Sequence, residues 1–216
     1  RIQIPAARGI VPADLTIPAS ASYIVIFSHA GIDSPQNHLN EIVLDHLHEA
    51  GIGTLVPELL SVEEINCSKE FDIELMTSRL MAVTRWVLDR DLFGHYRVGY
   101  YAAGTGAASA LVAAAGLGYA VGAIVCRGGR PDLASEALPE IQSPVLFIVG
   151  SQDKYVLELN RLAFDAISAE KKLSIVQDAT HFFSDDKIGE VASLAGTWFE
   201  EHLGVRQAQP IKTGIR

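Results

Sequence analysis

Four short runs constrain this chain more than anything else in it: YIVIFSH (Tyr23–His29), YRVGYY (Tyr96–Tyr101), AVGAIVC (Ala120–Cys126) and PVLFIVG (Pro144–Gly150). The first is a continuous apolar run, as a strand covered on both faces has, and the other three read as further strands. A fifth run, LSIVQD (Leu173–Asp178), and IGTLVPEL (Ile52–Leu59) are shorter-patterned strands. Between the runs lie helical patterns. Leu39, Ile42, Val43, Leu47 and Ala50 share one face before a stop at Gly51, and Ile73, Met76, Leu80, Val83 and Val87 share another. An alanine-rich helix follows Gly106, and helices are predicted over about Tyr155–Ala169 and Gly189–Leu203. Strands alternating with helices make βαβ units and a parallel sheet. RIQIPA and VPADLTIP, at the start, read as an antiparallel pair. A polar loop is expected through Glu63, Glu64 and Asn66.

The expected fold is therefore α/β: a single doubly wound, mostly parallel sheet with helices on both faces, over residues 1–204. A polar, frayed tail is expected over 205–216. The 17 basic and 26 acidic side chains give a net charge of −9, which argues against a nucleic-acid or anionic membrane surface as the main partner. Cys67 and Cys126 are too few for a disulfide framework and have no metal-ligand spacing, so buried thiols in a reducing cytoplasm are expected. No secretory leader and no membrane-spanning run is legible. His38, His46, His48, His95 and His202 show no metal-ligand spacing either and are expected on a solvated surface. Nothing implies a metal or organic cofactor, and the oligomeric state is left open.

Open parallel sheets bind ligands outside the carboxyl ends of their strands. The residues to inspect are thus those just after each strand: HAGIDS (His29–Ser34), PELLS (Pro57–Ser61), AAGTG (Ala102–Gly106), RGGRPD (Arg127–Asp132), SQDKY (Ser151–Tyr155) and ATHFF (Ala179–Phe183). Asp153 reads as a helix N-cap or as an acid facing a histidine. His181, after the next strand, is placed to meet it, and a carboxylate there fixes the imidazole tautomer a general base needs. Arg127 and Arg130 are candidates to clamp a substrate carboxylate or phosphate, or Arg130 pairs with Asp132 and shapes its loop. GTGAAS is a partial GxGxxG fingerprint, but it lies mid-chain and no acidic residue closes the next strand.

A strand, a small-residue turn and a helix in RVGYYAAGTGAASALVAAAG, then an acid, then a histidine, with a His-(small)-Gly loop early on, resemble the α/β-hydrolase fold. Within it the chain is most similar to the small, lid-less dienelactone-hydrolase-like proteins. YIVIFSHAG, CRGGRPDLA, PVLFIVGSQDKYVLELNR and ATHFF carry the closer likeness. The resemblance implies ester or lactone hydrolysis of a small substrate, with Asp153 as the acid and His181 as the histidine. It implies oxyanion-hole N–H groups at Gly31 and Thr105, although Ala30 stands where a glycine is usual. Proteins of this kind also occur joined to phosphoribosyltransferase domains.

One position departs from the pattern. Gly104 stands at the elbow tip, where the family has serine or cysteine. Glycine tolerates the positive φ of that turn, so the turn is expected intact and without a nucleophile. Thr105 is expected to offer its N–H rather than its hydroxyl. Cys126 and Ser28 are expected to be packing residues. Two readings stay open: a hydrolase impaired by Gly104, or a non-catalytic ligand-binding or interaction protein on the same scaffold.

Overall fold

The computed structural model describes residues 1–6, 9–29, 36–90 and 96–204. Among these, eight strands form one sheet: β1 (Ile2–Ala6), β2 (Gly9–Thr16), β3 (Tyr23–Ser28), β4 (Gly53–Pro57), β5 (Arg97–Ala103), β6 (Val121–Arg127), β7 (Val145–Gly150) and β8 (Lys171–Val176). Their spatial order is β1-β2-β4-β3-β5-β6-β7-β8. The pairs β1–β2 and β2–β4 are antiparallel and every later pair is parallel. The chain leaves β3 toward one edge, through β4, and returns to the other side of β3 as β5. The order therefore reverses between β3 and β5, where doubly wound sheets open a ligand crevice.

Among the described residues there are six α-helices: α1 (Gln36–Glu49), α2 (Val62–Asn66), α3 (Ile73–Leu88), α4 (Gly106–Leu117), α5 (Lys154–Ala166) and α6 (Asp185–Leu203). Helices α1 and α6 pack on one face around Phe27, Tyr101, Val125 and Ile148, with the Phe27 and Tyr101 rings 4.8 Å apart. Helices α3, α4 and α5 lie on the other, around Tyr100, Ile124, Cys126 and Phe147. Strand residues β3 and β7 are buried throughout, as their unbroken apolar runs require.

Helix α3 follows its sequence pattern. Met76, Leu80, Val83 and Val87 are fully buried, each worth about 1.5–3 kcal/mol of transfer free energy, and Ile73 is half-buried. Asp72 caps it by accepting from Leu75 N–H at 3.0 Å. Helix α4 is lined by Ala107, Ala108, Ala110, Ala113 and Ala114, all buried. Small side chains let it lie close to both the sheet and α3.

Several details differ from the sequence pattern, among them that α5 ends at Ala166 rather than Ala169 and α6 begins at Asp185 rather than Gly189. Ala50 is exposed, because α1 ends at Glu49 and Gly51 turns the chain with φ +75°. The segment expected as a polar loop is α2. A capping box builds it: Ser61 Oγ accepts from Glu64 N–H, and the Glu64 carboxylate accepts from Ser61 N–H. Strand β8 begins at Lys171, two residues early, and ends at Val176, because an edge strand accepts lysines at its rim. His48 and His202 are packed rather than solvated. His48 Nε2 lies 2.7 Å from Thr54 Oγ1, and His202 stacks on Trp198 with ring centroids 4.0 Å apart. His95 and the tail from 205 lie outside the described residues.

Candidate active site

The turn between β5 and α4 is held from both sides. A Cβ on Gly106 would stand 2.1 Å from the Ser28 carbonyl oxygen, so only glycine lets the end of β3 press against the turn. The buried Ser28 hydroxyl donates to Gly106 O at 3.0 Å and lies 2.9 Å from Ser109 Oγ. Ser28 is the packing residue expected of it. The Gly104 carbonyl accepts from Ala107 N–H at 3.2 Å and from Arg130 N–H at 2.9 Å. Gly104 itself has φ +57°, the left-handed conformation of a strand-to-helix elbow. Among the described residues, and leaving aside its two chain neighbours, no heavy atom lies within 4 Å of a Cβ built there. The elbow is thus intact.

Asp153 does both things its position suggests. Its Oδ1 accepts from Val156 N–H at 3.3 Å and caps α5. Its Oδ2 accepts from His181 Nδ1–H at 2.6 Å. An ionised carboxylate only accepts, so this contact places the proton on Nδ1 and leaves Nε2 with its lone pair. Asp153 is 13% exposed and His181 36%, so the acid is sheltered while the imidazole reaches solvent. The loop carrying His181 is bent by Asp178 and Phe183, whose φ values of 57° and 48° are unusual for side-chain-bearing residues.

The glycines after β6 join the two parts. A Cβ on Gly128 would lie 3.8 Å from His181 Cε1, and one on the adjacent Gly129 would lie 3.7 Å from Gly104 O. Histidine and elbow are therefore neighbours across two consecutive residues. A polar side chain that the sequence pattern did not single out ties them further. Asn160, fully buried on α5, donates to Gly129 O at 3.0 Å and to Val156 O at 2.8 Å. Contacts thus run from His181 through Asp153, Val156, Asn160 and the Gly129–Arg130 peptide to Gly104. An asparagine at helical spacing from the acid, inside an otherwise apolar face, was the available signal.

The two arginines divide. Arg130 forms a two-point pair with Asp132, Nε and one terminal nitrogen donating at 2.8 and 2.7 Å. Arg127 is 3% exposed and turned into the α1 face, where it donates to Asn40 Oδ1 at 3.2 Å. Burial pushes the Cys126 thiol up to about 12, which suits a packing residue and not a nucleophile. Cys67 is exposed, against expectation, at the C-terminal end of α2. Ala30 and Gly31 lie outside the described residues. Among the described residues no helix is long and apolar enough to cross a membrane, and no group of three His, Cys, Asp or Glu side chains converges.

Fold and loop order define an α/β hydrolase without a lid. The dienelactone hydrolase family model matches residues 11–201, and the chain belongs to that family. A dienelactone hydrolase of Anabaena variabilis superposes with a TM-score of 0.88 at 38% identity, covering 94% of this chain and 96% of that one. A lid-less serine hydrolase of Xanthomonas campestris, at 17% identity and a TM-score of 0.74, shares the fold over 95% of each chain. Two Mycobacterium tuberculosis proteins, both named "Putative phosphoribosyl transferase", are 42% identical over 204 residues. That match takes in 94% of this chain but 46% of each relative, so the chain spans about half their length.

Proposed function

We propose that the site binds the carbonyl of a small ester or lactone and supports its hydrolysis only weakly, because Gly104 supplies no nucleophile. The observation carrying this reading is the combination of an intact His181–Asp153 pair, at 2.6 Å, with an elbow formed around a glycine tip. In this reading the Thr105 N–H, and that of Gly31, receive the oxyanion. His181 Nε2 takes a proton from a water standing where a serine hydroxyl would be. Asp153 holds the ring and stabilises the imidazolium. Without a covalent intermediate, what remains is the contribution of the oxyanion donors and binding, about 10³–10⁴ over water.

A substrate anion would have to win Arg130 from Asp132, so an uncharged ester or lactone is the better-supported substrate. The setting proposed is cytoplasmic. Phosphoribosyl transfer belongs to the name of relatives twice as long, and the His181–Asp153 pair is chemistry of another kind.

The test is Gly104→Ser, assayed with short activated esters. Turnover that appears in this variant and vanishes on adding His181→Ala supports a hydrolase site lacking one group. A well-folded Gly104→Ser that stays inert toward a broad ester and lactone panel overturns it in favour of a non-catalytic ligand-binding protein.

A further inference from the structure

Helix α5 turns Val156, Leu157, Asn160 and Ala163 into the core. It packs on β7 and on β8, the last strand at its edge of the described sheet. Its outer surface is unlike that of the other long helices. Tyr155 is 67% exposed and Leu162 60%, whereas α1, α3, α4 and α6 leave no large apolar side chain in solvent among the described residues. At about 100° per residue, Tyr155, Leu159, Leu162 and Ala166 fall within about 60° of arc and form one stripe. Leu159 in it is half-buried and Ala166 exposed.

Beside this stripe runs a charged one. Lys154, Glu158, Arg161 and Asp165 are all exposed, and their spacing keeps them within about 60° of arc on one flank. Their signs run plus, minus, plus, minus. Reversing the row inverts every sign, so it is complementary to its own reverse: Lys154 opposes Asp165, and Glu158 opposes Arg161. A parallel copy in register would set each charge against its like. Within one chain Arg161 lies 3.6 Å from Glu158 with both side chains largely in solvent, and neither Lys154 nor Asp165 has an ionic partner among the described residues.

We propose that the partner of this face is a second copy of the chain, with the two α5 helices packed antiparallel about a two-fold axis. A two-fold perpendicular to both helices keeps each flank on its own side. The apolar stripes then face one another while charged row meets charged row. Tyr155 of each copy lies toward Leu162 of the other. Burial of these side chains drives association, and the charges set its direction and register. A helix of 13 residues is about 20 Å long, so the interface is small and the expected Kd is on the order of 10 μM. The pairing is independent of any chemistry at Gly104.

Sedimentation of the unmodified chain, from well below to well above that Kd, tests this. A concentration-dependent dimer is expected. Glu158→Arg or Arg161→Glu sets like charges together twice in the dimer and weakens it at least about tenfold. Leu162→Asp abolishes it. Mixing the Glu158→Arg and Arg161→Glu chains restores a dimer, because each supplies the charge the other lacks, and so does combining both changes in one chain. That recovery also shows the variants to be folded. Glu190→Arg, the same change of charge at an exposed position on α6, leaves the dimer intact. If the unmodified chain is a monomer throughout, the proposal is overturned. If it dimerises and Leu162→Asp and Glu158→Arg dimerise equally well, another surface is responsible and the α5 pairing is overturned. If the single changes dissociate the dimer and neither mixing nor combination recovers it, the antiparallel register is overturned.

Discussion

The β5–α4 elbow and the loops after β7 and β8 are fixed by equally specific contacts, yet only the loops retain reactive groups. At the elbow, Gly106 lies against the Ser28 carbonyl, and Gly104 O accepts from two backbone N–H groups. In the loops, Asp153 caps α5 with one oxygen and holds His181 with the other. The comparison separates geometry from chemistry. A turn built by backbone contacts forms with glycine at its tip, because none of those contacts needs a side chain there. A paired acid and imidazole have no such independence, since each is the other's partner.

The sharpest way to break the comparison is to return chemistry to the elbow. Gly104→Ser is expected to raise hydrolysis of an activated ester by about 10³-fold or more, with a burst of leaving group that reports an acyl-enzyme. His181→Ala in that background returns the rate to its starting level. The φ of +57° makes serine there mildly strained, so a small loss of stability accompanies the gain.

Gly106→Ala attacks the geometry instead. The new Cβ would collide with backbone that has nowhere to move, and the expected loss is about 3 kcal/mol, read from the midpoint of urea unfolding. An unchanged midpoint would show that the elbow is softer than its contacts indicate.

Asn160→Ala cuts the tie between the two regions. It leaves the Gly129 carbonyl without its buried donor and opens a void, for an expected cost of about 2 kcal/mol. Faster hydrogen exchange at Arg130 N–H, which donates to Gly104 O, is expected to accompany it. If exchange at Arg130 is unaltered, the elbow and the α5 loop are held independently.

The smallest effect lies away from both regions. The Arg79 guanidinium donates to both Glu64 oxygens, at 2.6 and 2.8 Å, and holds the Glu64 carboxyl below its ordinary value against a smaller opposing effect of burial. A carboxyl lowered in the folded state stabilises above its unfolded pKa, and that stability is lost as pH falls through the folded value. Glu64→Gln is expected to cost about 1 kcal/mol at neutral pH. Its urea midpoint should converge with that of the parent protein in acid. A cost that persists in acid would mean that the fit of the side chain, and not its charge, is the contribution.

Much of the fold was legible because its strands are buried on both faces. YIVIFS, GYYAA, AIVCR and VLFIVG had no polar face to blur them, and the βα alternation then fixed a parallel sheet. Edges were less legible. The lysines of β8 and the acidic residues of α2 look like loop, because rim strands and capped single-turn helices are allowed polar side chains. For the site, residue type and loop position sufficed to name Asp153 and His181, which meet as expected. They did not suffice for the arginines. Arg127 and Arg130 both follow β6, but strand alternation turns Arg127 into the α1 face toward Asn40, while Arg130 lies past a two-glycine turn and finds Asp132.

What the sequence alone determined is the order of elements, the loops at the carboxyl ends of the strands, and the absence of a hydroxyl or thiol at position 104. These follow from local pattern and residue identity, which need no knowledge of neighbours. Only the tertiary structure decided that the elbow is formed with glycine at its tip, that Asp153 serves helix and histidine together, and that Asn160 links them. Each of those depends on atoms distant in the chain reaching contact distance, and contact distance is set by packing.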